Sequence, residues 1–351
     1  MLMTFRWFGP EDRVTLEHIR QIPGVDGIVS ALHELPPGEV WPREGLERLL
    51  ERIEGAGLRF AVAESIPVHE DIKLGRPTRD WLVDNYCLSV RHLGEIGVPV
   101  LCYNFMPVFD WFRTELAFRL EDGSFSMAYD DAALARMDTA GGMSGLPAWA
   151  ASYEGPELAA LLAAWRSVSA ERLWENLGWF LERVAPAAEA AGVRLALHPD
   201  DPPWAIFGLP RIVTDGPALE RVVALAPSPA NGITFCTGSL GALPGNDLPA
   251  MIRRLGSRVH FAHCRNVRVT GPREFHETPH PSRFGDVNML EVLRALRDVG
   301  FAGPMRSDHG RMIWGETGRP GYGLHDRALG AAYLTGLWEG LAGETVKGAG
   351  R

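Results

Sequence analysis

The chain has 351 residues, 46% hydrophobic and 23% charged, with a formal net charge of −9 at pH 7. This composition supports one large apolar core, and the acidic balance argues against a duplex nucleic-acid partner, which needs a basic face. Four cysteines without CxxC spacing, no signal-peptide pattern and no run of about 18 uncharged apolar residues lead us to expect a cytoplasmic protein with no membrane partner.

Strand and helix patterns alternate from the start. Residues 5–8 read as a strand, 14–21 as a helix, 27–32 as a second strand and 43–56 as a helix with Leu46, Leu49, Leu50 and Ile53 on one face. Residues 59–64 form the third expected strand. Thr78 is placed to cap a helix with Asp80 in its first turn, running to residue 95, and 98–105 is the fourth strand.

From 106 to 155 the rhythm breaks. Aromatic residues at 109–114, a turn at 121–124 and a glycine-rich stretch at 141–147 read as an inserted lid or oligomerisation segment, or as a surface excursion. Helical spacing returns over 156–191, where Leu173, Leu177, Phe180, Leu181 and Val184 form a stripe. Pro186 should kink or end that helix.

The fifth strand ends at His198. Asp215 is placed to cap a helix to residue 225, and the sixth strand ends at Cys236. Asn246 is placed to cap a helix to 255, and the seventh strand ends at His263. A helix over 286–299 leads to an eighth strand ending at Asp308, and 325–340 closes the chain. Eight strands alternating with eight helices predict an α/β fold, a (β/α)8 TIM barrel forming one domain over 1–351. No GxGxxG follows a strand and no GxxxxGK[ST] occurs, so no dinucleotide or nucleotide-triphosphate site is indicated.

The last four strands share a form: RLALHPD, GITFCTG, VHFAHCRN and MRSDHG are short apolar runs that close on a residue able to bind a metal. Singly, such residues are more often packed or hydrogen-bonded. Side by side in a parallel sheet, His198, Cys236, His263 and Asp308 would meet at the C-terminal rim, where these barrels place their chemistry. Two imidazoles, a thiolate and a carboxylate suit a divalent transition metal.

Strand alternation aims Arg306 inward with Asp308, so Arg306 is expected to bind an anion or steady a ligand. His309, before Gly310, is either a structural hydrogen bonder or a presented catalytic imidazole. Tyr322, between two glycines in the loop 311–323, is a candidate general acid or base. Asn266 and, in the loop 271–285, His280 and Arg283 are candidates for substrate contact, with a solvated face as the alternative for that loop. Asp200 and Asp201 would orient the metal ligands or simply make the turn. A metal with an open position could chelate a hydroxy acid, acidify its C2 proton and leave a nearby acid to protonate the departing C3 hydroxyl.

At these residues the chain resembles the mannonate dehydratase family. HPDDPP at 198–203, IFGLPR at 206–211, FCTGSLG at 235–241 and RSDHG at 306–310 carry the likeness, with AESIPV at 63–68 in the first half. The resemblance implies a TIM barrel that uses Mn2+ or a similar divalent ion to dehydrate D-mannonate to 2-keto-3-deoxy-D-gluconate in hexuronate breakdown. It implies metal ligands at His198, Cys236, His263 and Asp308, and acid–base residues at His309 and Tyr322. The thiolate suits Fe2+ or Zn2+ as well as Mn2+. An aldonate is the expected small-molecule partner, with a homodimer or higher homo-oligomer as the assembly. The chain departs from the family pattern at Ser307, Cys264, Phe112 and Asn288, where Pro, Phe, Thr and Asp are usual. The alternatives are a metal-dependent sugar or sugar-acid isomerase or epimerase on the same barrel, and a non-catalytic sugar-acid binding homologue.

Overall fold

The structure is a computed structural model that describes residues 1–137 and 155–348. Eight parallel strands close into a barrel. Around the ring they are β1 (Leu2–Arg6), β2 (Val25–Ser30), β3 (Arg59–Glu64), β4 (Val100–Tyr103), β7 (Arg194–Leu197), β8 (Asn231–Cys236), β9 (Val259–His263) and β12 (Pro304–Arg306). Register places the functional strand ends level. Cys236 lies opposite His263, and His263 opposite Arg306.

The inside of the barrel is filled by a small cluster that includes Val29, Val62, Val100, Ala196 and Phe261. The larger residues pack between strands and helices. There Phe180, on α7 (Ala170–Ala190), touches Tyr86, Tyr103 and Phe105 at ring distances of 5.0, 5.8 and 5.7 Å. This packing braces the end of β4 beneath the rim.

Element type follows the sequence patterns better than element ends do. The third strand is as expected, but the first two begin and end earlier and the fourth is shorter. Asp215 caps α8 (Gly216–Leu225) by accepting from Ala218 N at 2.9 Å. Helix α10 (Leu248–Leu255) is capped by Asp247 rather than Asn246, whose amide donates to the Thr214 and Leu240 carbonyls instead. Helix α11 (Met289–Asp298) is capped by Asn288, while Asp286 pairs with Arg268. Thr78 does precede α4 (Arg79–Glu95), but its hydroxyl donates to Asp71. Helix α7 runs on through Pro186. That residue and Glu182, whose carbonyl loses the bond, lie on the exposed face, where an unpaired carbonyl is open to solvent and not buried. The last helix, α12 (His325–Gly348), runs past residue 340.

A second, four-stranded antiparallel sheet grows from the ends of β4 and β9. Its order is β10 (Asn266–Gly271), β11 (Glu274–Thr278), β6 (Phe125–Asp130) and β5 (Glu115–Arg119). Strands β5 and β6 come from the segment 106–155. The glycine-rich stretch of that segment, 141–147, lies outside the described residues. Among the described residues no helix is long and apolar enough to cross a membrane.

Both flanks of this segment meet one buried carboxylate. Glu70 begins the short helix α3 (Glu70–Leu74) and accepts from Lys73 Nζ at 2.7 Å, Val108 N at 3.2 Å and Trp165 Nε1 at 2.8 Å. Lys73 is 6% exposed, and Glu70 is its only ion-pair partner among the described residues. Glu70→Ala should therefore cost about 3–5 kcal/mol by leaving a buried charge unpaired. A lower urea midpoint at unchanged slope would register it.

Candidate active site

One donor atom from each of His198, Cys236 and His263 lies within 4.8 Å of the others. Asp308 adjoins them, with Oδ2 3.7 Å from Cys236 Sγ and Oδ1 3.6 Å from His263 Nδ1. Its backbone sits at φ 64°, a left-handed conformation that non-glycine residues seldom adopt and that recurs at ligand clamps. His198 Nδ1 lies 2.6 Å from the Pro199 carbonyl oxygen, which fixes a proton there and leaves Nε2 as the donor atom. The Cys236 sulfur accepts from Ser239 Oγ at 3.1 Å and lies 3.9 Å from Arg265 Nη2.

The electrostatics suit a cation. Burial alone would lower the His198 pKa, yet Cys236 and Asp308 raise it to about 9. Burial and then the Arg306 guanidinium hold His263 well below the usual imidazole range, so it is neutral. Burial opposes charge on Asp308, but His309 and Arg306 keep it well below the usual carboxylate range. Imidazole, thiol and carboxylate donors converging in this way fit a divalent transition ion. Glu64, Cys102 and His263 form a second triad at similar spacing. Arg306 runs through it, with Nε 2.9 Å from His263 Nε2 and Nη2 2.9 Å from Glu64 Oε1, so that triad is closed to a cation.

Beside these four residues stand a histidine and a tyrosine in contact. His309 Nε2 lies 3.0 Å from Tyr322 Oη. Gly321, at φ 79°, makes the left-handed turn that presents Tyr322, and a Cβ there would strike Met127. Phe8 packs edge-on to the phenol at 4.8 Å, and Trp111 lies 5.1 Å from the His309 ring. Arg327 holds the carbonyls of Tyr322 and Arg6 at 2.6 and 3.0 Å, tying this loop to β1. Burial pushes the Tyr322 phenol well above its ordinary pKa. One cavity opens onto His198, Arg306, Asp308, His309 and Tyr322, with Asp110 and Trp111 on its wall.

Behind the pair lies a charged network that the sequence reading missed. Arg113 reaches Asp201 at 2.7 Å and Glu277 at 2.8 Å. Arg265 reaches the same two carboxylates at 2.6 and 3.0 Å. All four residues are buried. Burial works against charge on Asp201, but both guanidiniums hold it far below the usual range. Glycine at 238 is required, because a Cβ would collide with the Arg265 guanidinium. Glu277 lies on β11 in the alternating run EFHET, which reads as an ordinary surface strand. The available signal was a buried arginine, Arg265, directly after the His263 strand and in need of a partner.

The other expected site residues divide. Arg306 and Asp201 line the cavity. Asp200 accepts from Val213 N at 2.8 Å and lies 3.7 Å from Arg211, so it makes the turn. The three substrate-contact candidates lie outside the cavity. Asn266 accepts from Val267 N and Val287 N, which ties the start of β10 to the α11 approach. His280 Nε2 lies 2.7 Å from the Ser307 carbonyl oxygen with its ring against Gly330, and Arg283 lies exposed over Phe284. The four departures also face away from the cavity. Ser307 Oγ donates to the Arg327 carbonyl, Cys264 is in the core, Phe112 packs on Phe109 and Phe207, and Asn288 caps α11.

A family model described as D-mannonate dehydratase (UxuA) matches residues 1–347. Mannonate dehydratase 2 of Halalkalibacterium halodurans is 54% identical over 344 residues, covering 97% of this chain and 100% of that protein. Mannonate dehydratase of Streptococcus agalactiae is 52% identical over 343 residues, covering 97% and 99%. The crystal structure of mannonate dehydratase from Streptococcus suis serotype 2 superimposes with a TM-score of 0.91 at 47% identity, covering 100% of this chain and 96% of that one. A D-psicose 3-epimerase from Clostridium cellulolyticum H10 matches at a TM-score of 0.55 and 15% identity over 97% and 98% of the two chains, a likeness of fold alone.

The network sets an acid limb of stability. Burial would raise the Glu277 pKa, but His309, Arg265 and Arg113 bring it from 4.5 down to about 2. Its stabilisation is full above pH 4.5 and is lost as the pH falls toward about 2. Denaturant midpoints measured across that window should fall with pH, and the fall should be shallower in Glu277→Gln.

Proposed function

The chain belongs to the D-mannonate dehydratase family, and we propose that His198, Cys236, His263 and Asp308 hold its divalent ion while His309 and Tyr322 form its acid–base pair. The reaction is the loss of water from D-mannonate to give 2-keto-3-deoxy-D-gluconate. The observation that carries the assignment is the 3.0 Å contact between His309 Nε2 and Tyr322 Oη, immediately beside the convergent donors.

When bound, such an ion would supply Lewis acidity toward the carboxylate and 2-hydroxyl of the aldonate. The chain's own residues handle orientation and protons. Arg306 keeps Nη1 buried without a partner while its other nitrogens are engaged, so an N–H remains for a substrate oxygen. The C2 proton must leave, and the C3 hydroxyl must gain a proton to depart as water. His309 Nε2 and Tyr322 Oη share a hydrogen bond, so the pair can accept a proton at one atom and release one at the other. The resulting enol becomes the 2-keto acid when C3 is protonated. Phe8 and Trp111 shield the pair from bulk water.

Mn2+ is the ion we favour, with Fe2+ or another divalent transition metal as substitute. The carboxylate and imidazoles suit Mn2+, and the thiolate suits Fe2+. We read 1–351 as one barrel domain and 106–155 as a lid or oligomerisation segment, because Asp110 and Trp111 of that segment line the cavity. Four free, buried cysteines suit a reducing cytoplasm. A homodimer or higher homo-oligomer completes the reading.

The direct test is a keto-acid assay on metal-stripped protein resupplied with Mn2+, using D-mannonate, D-gluconate and D-altronate. Mn2+-dependent product from D-mannonate alone is expected. Epimerised substrate without keto acid would move the protein to isomerase chemistry, and turnover that survives exhaustive chelation would end the metal assignment. Tyr322→Phe should lower kcat by about 100-fold or more, with bound metal and KM little changed. A wild-type kcat would remove Tyr322 from the mechanism.

A further inference from the structure

We propose that Glu277, on the antiparallel sheet outside the barrel, is a positioning residue for His309: its carboxylate holds the Nδ1 side of the ring and keeps Nε2 turned to Tyr322. The inference rests on His309 and Tyr322 being the acid–base pair. Glu277 Oε1 lies 3.0 Å from His309 Nδ1, and His309 Nε2 lies 3.0 Å from Tyr322 Oη. Carboxylate, imidazole and phenol are thus joined through the two ring nitrogens. A carboxylate on the far nitrogen is how an imidazole base is given one orientation and one tautomer.

Glu277 itself has little freedom. It is 3% exposed, and its strand β11 pairs with β10 on one side and β6 on the other. Arg113 Nη2 and Arg265 Nη1 donate to the same Oε1 at 2.8 and 3.0 Å. Ser126 Oγ donates to the Glu277 carbonyl at 2.8 Å.

Two groups reach His309 Nδ1, and they ask for opposite tautomers. Arg265 Nη1 is 2.6 Å away. A guanidinium only donates, so that bond needs a bare Nδ1 and places the ring proton on Nε2. A carboxylate only accepts, so Glu277 needs the proton on Nδ1 and leaves Nε2 free to take one. Arg265 has other anionic acceptors, Asp201 at 2.6 Å, Glu277 at 3.0 Å and Asp308 at 3.5 Å. His309 Nδ1 has only Glu277 within 3.0 Å as an acceptor among the described residues. On this proposal the ring proton sits on Nδ1, and the 2.6 Å approach of Arg265 Nη1 is then a contact and not a hydrogen bond. Arg265 Nη1 donates to Glu277 instead, and the side sheet takes part in the chemistry by holding the proton there.

A residue that only balances Arg113 and Arg265 would affect folding and metal content without a separate effect on rate. The test uses the Mn2+-loaded enzyme with Glu277→Gln, Glu277→Asp and His309→Gln. In Glu277→Gln, kcat for D-mannonate is expected to fall about 10- to 100-fold, with KM and bound metal within about twofold of wild type. Glu277→Asp, which keeps the charge, should recover part of that rate. A Glu277→Gln protein with wild-type kcat, or one whose rate falls only in step with lost metal, overturns the proposal. Should that variant not fold, nitrogen-15 histidine spectra of the wild-type enzyme loaded with diamagnetic Zn2+, assigned with His309→Gln, decide it. A proton on Nδ1 upholds the proposal, and a bare Nδ1 with the proton on Nε2 overturns it. An active His309→Gln would instead overturn the acid–base reading itself, whereas an inactive His309→Gln beside a fully active Glu277→Gln overturns only the role of Glu277.

Discussion

The rim depends on one buried guanidinium. Arg265 stands where the barrel and the antiparallel sheet meet, 1% exposed, and touches Asp201, Glu277, Asp308 and His309. A lone buried cation would be prohibitive, and two carboxylates from different parts of the chain make it tolerable. Arg113 shares both carboxylates, so the four charges are neutral as a set. Removing one member strands the others, and this couples the position of Glu277 to that of Asp201 more than 70 residues earlier in the chain. The space for the guanidinium exists only because residue 238, just after the Cys236 strand, has no side chain.

The site therefore rests on two scaffolds. Barrel register brings Cys236, His263 and Arg306 level, and the turn after β12 sets Asp308 beside them. That much needs only eight strands of the same hand. The sheet built from β5, β6, β10 and β11 adds the groups behind His309, and Asp110 and Trp111, just ahead of β5, add a cavity wall. Elements of this sheet come from two separate excursions, one after β4 and one after β9, so the sheet also ties those excursions together.

Local pattern made the barrel and the convergence of His198, Cys236, His263 and Asp308 legible. A strand that ends in His, Cys or Asp announces both itself and its side chain within a few residues, and parallel topology converts four such ends into one cluster. Glu277 was hidden because its meaning lies in partners 164 and 32 positions away, Arg113 and His309. Nothing within EFHET distinguishes a buried ion-pairing glutamate from a solvated one. Asn266 and His280 show the opposite case. They look like ligand-binding residues in a rim loop, and in the structure Asn266 Oδ1 accepts from the Val267 and Val287 amides while His280 Nε2 lies 2.7 Å from the Ser307 carbonyl oxygen. Helix starts slipped by a residue or two for a similar reason. Asn246 and Asp247 are both competent caps, and the Thr214 and Leu240 carbonyls hold the Asn246 amide while Asp247 caps the helix.

Fold alone does not select the chemistry, since the same barrel occurs in a D-psicose 3-epimerase at 15% identity. Dehydration asks for one more thing than epimerisation, a proton for a departing hydroxyl. The residues that can supply it are neither barrel strands nor metal donors. Tyr322 is set by Gly321 and by Arg327, which binds the carbonyls of Tyr322 and Arg6 together. His309 is set from behind by the side sheet. The four departures from the family pattern leave both supports in place, because Ser307 turns its hydroxyl to the Arg327 carbonyl and Asn288 to a helix start, while Cys264 and Phe112 stay in the apolar core. Among the groups that do face the cavity, two buried guanidiniums keep an N–H without a hydrogen-bond partner among the described residues, Arg306 at Nη1 and Arg265 at Nε. Arg265 Nε already lies 3.5 Å from Asp308, which leaves Arg306 Nη1 as the N–H not facing a carboxylate.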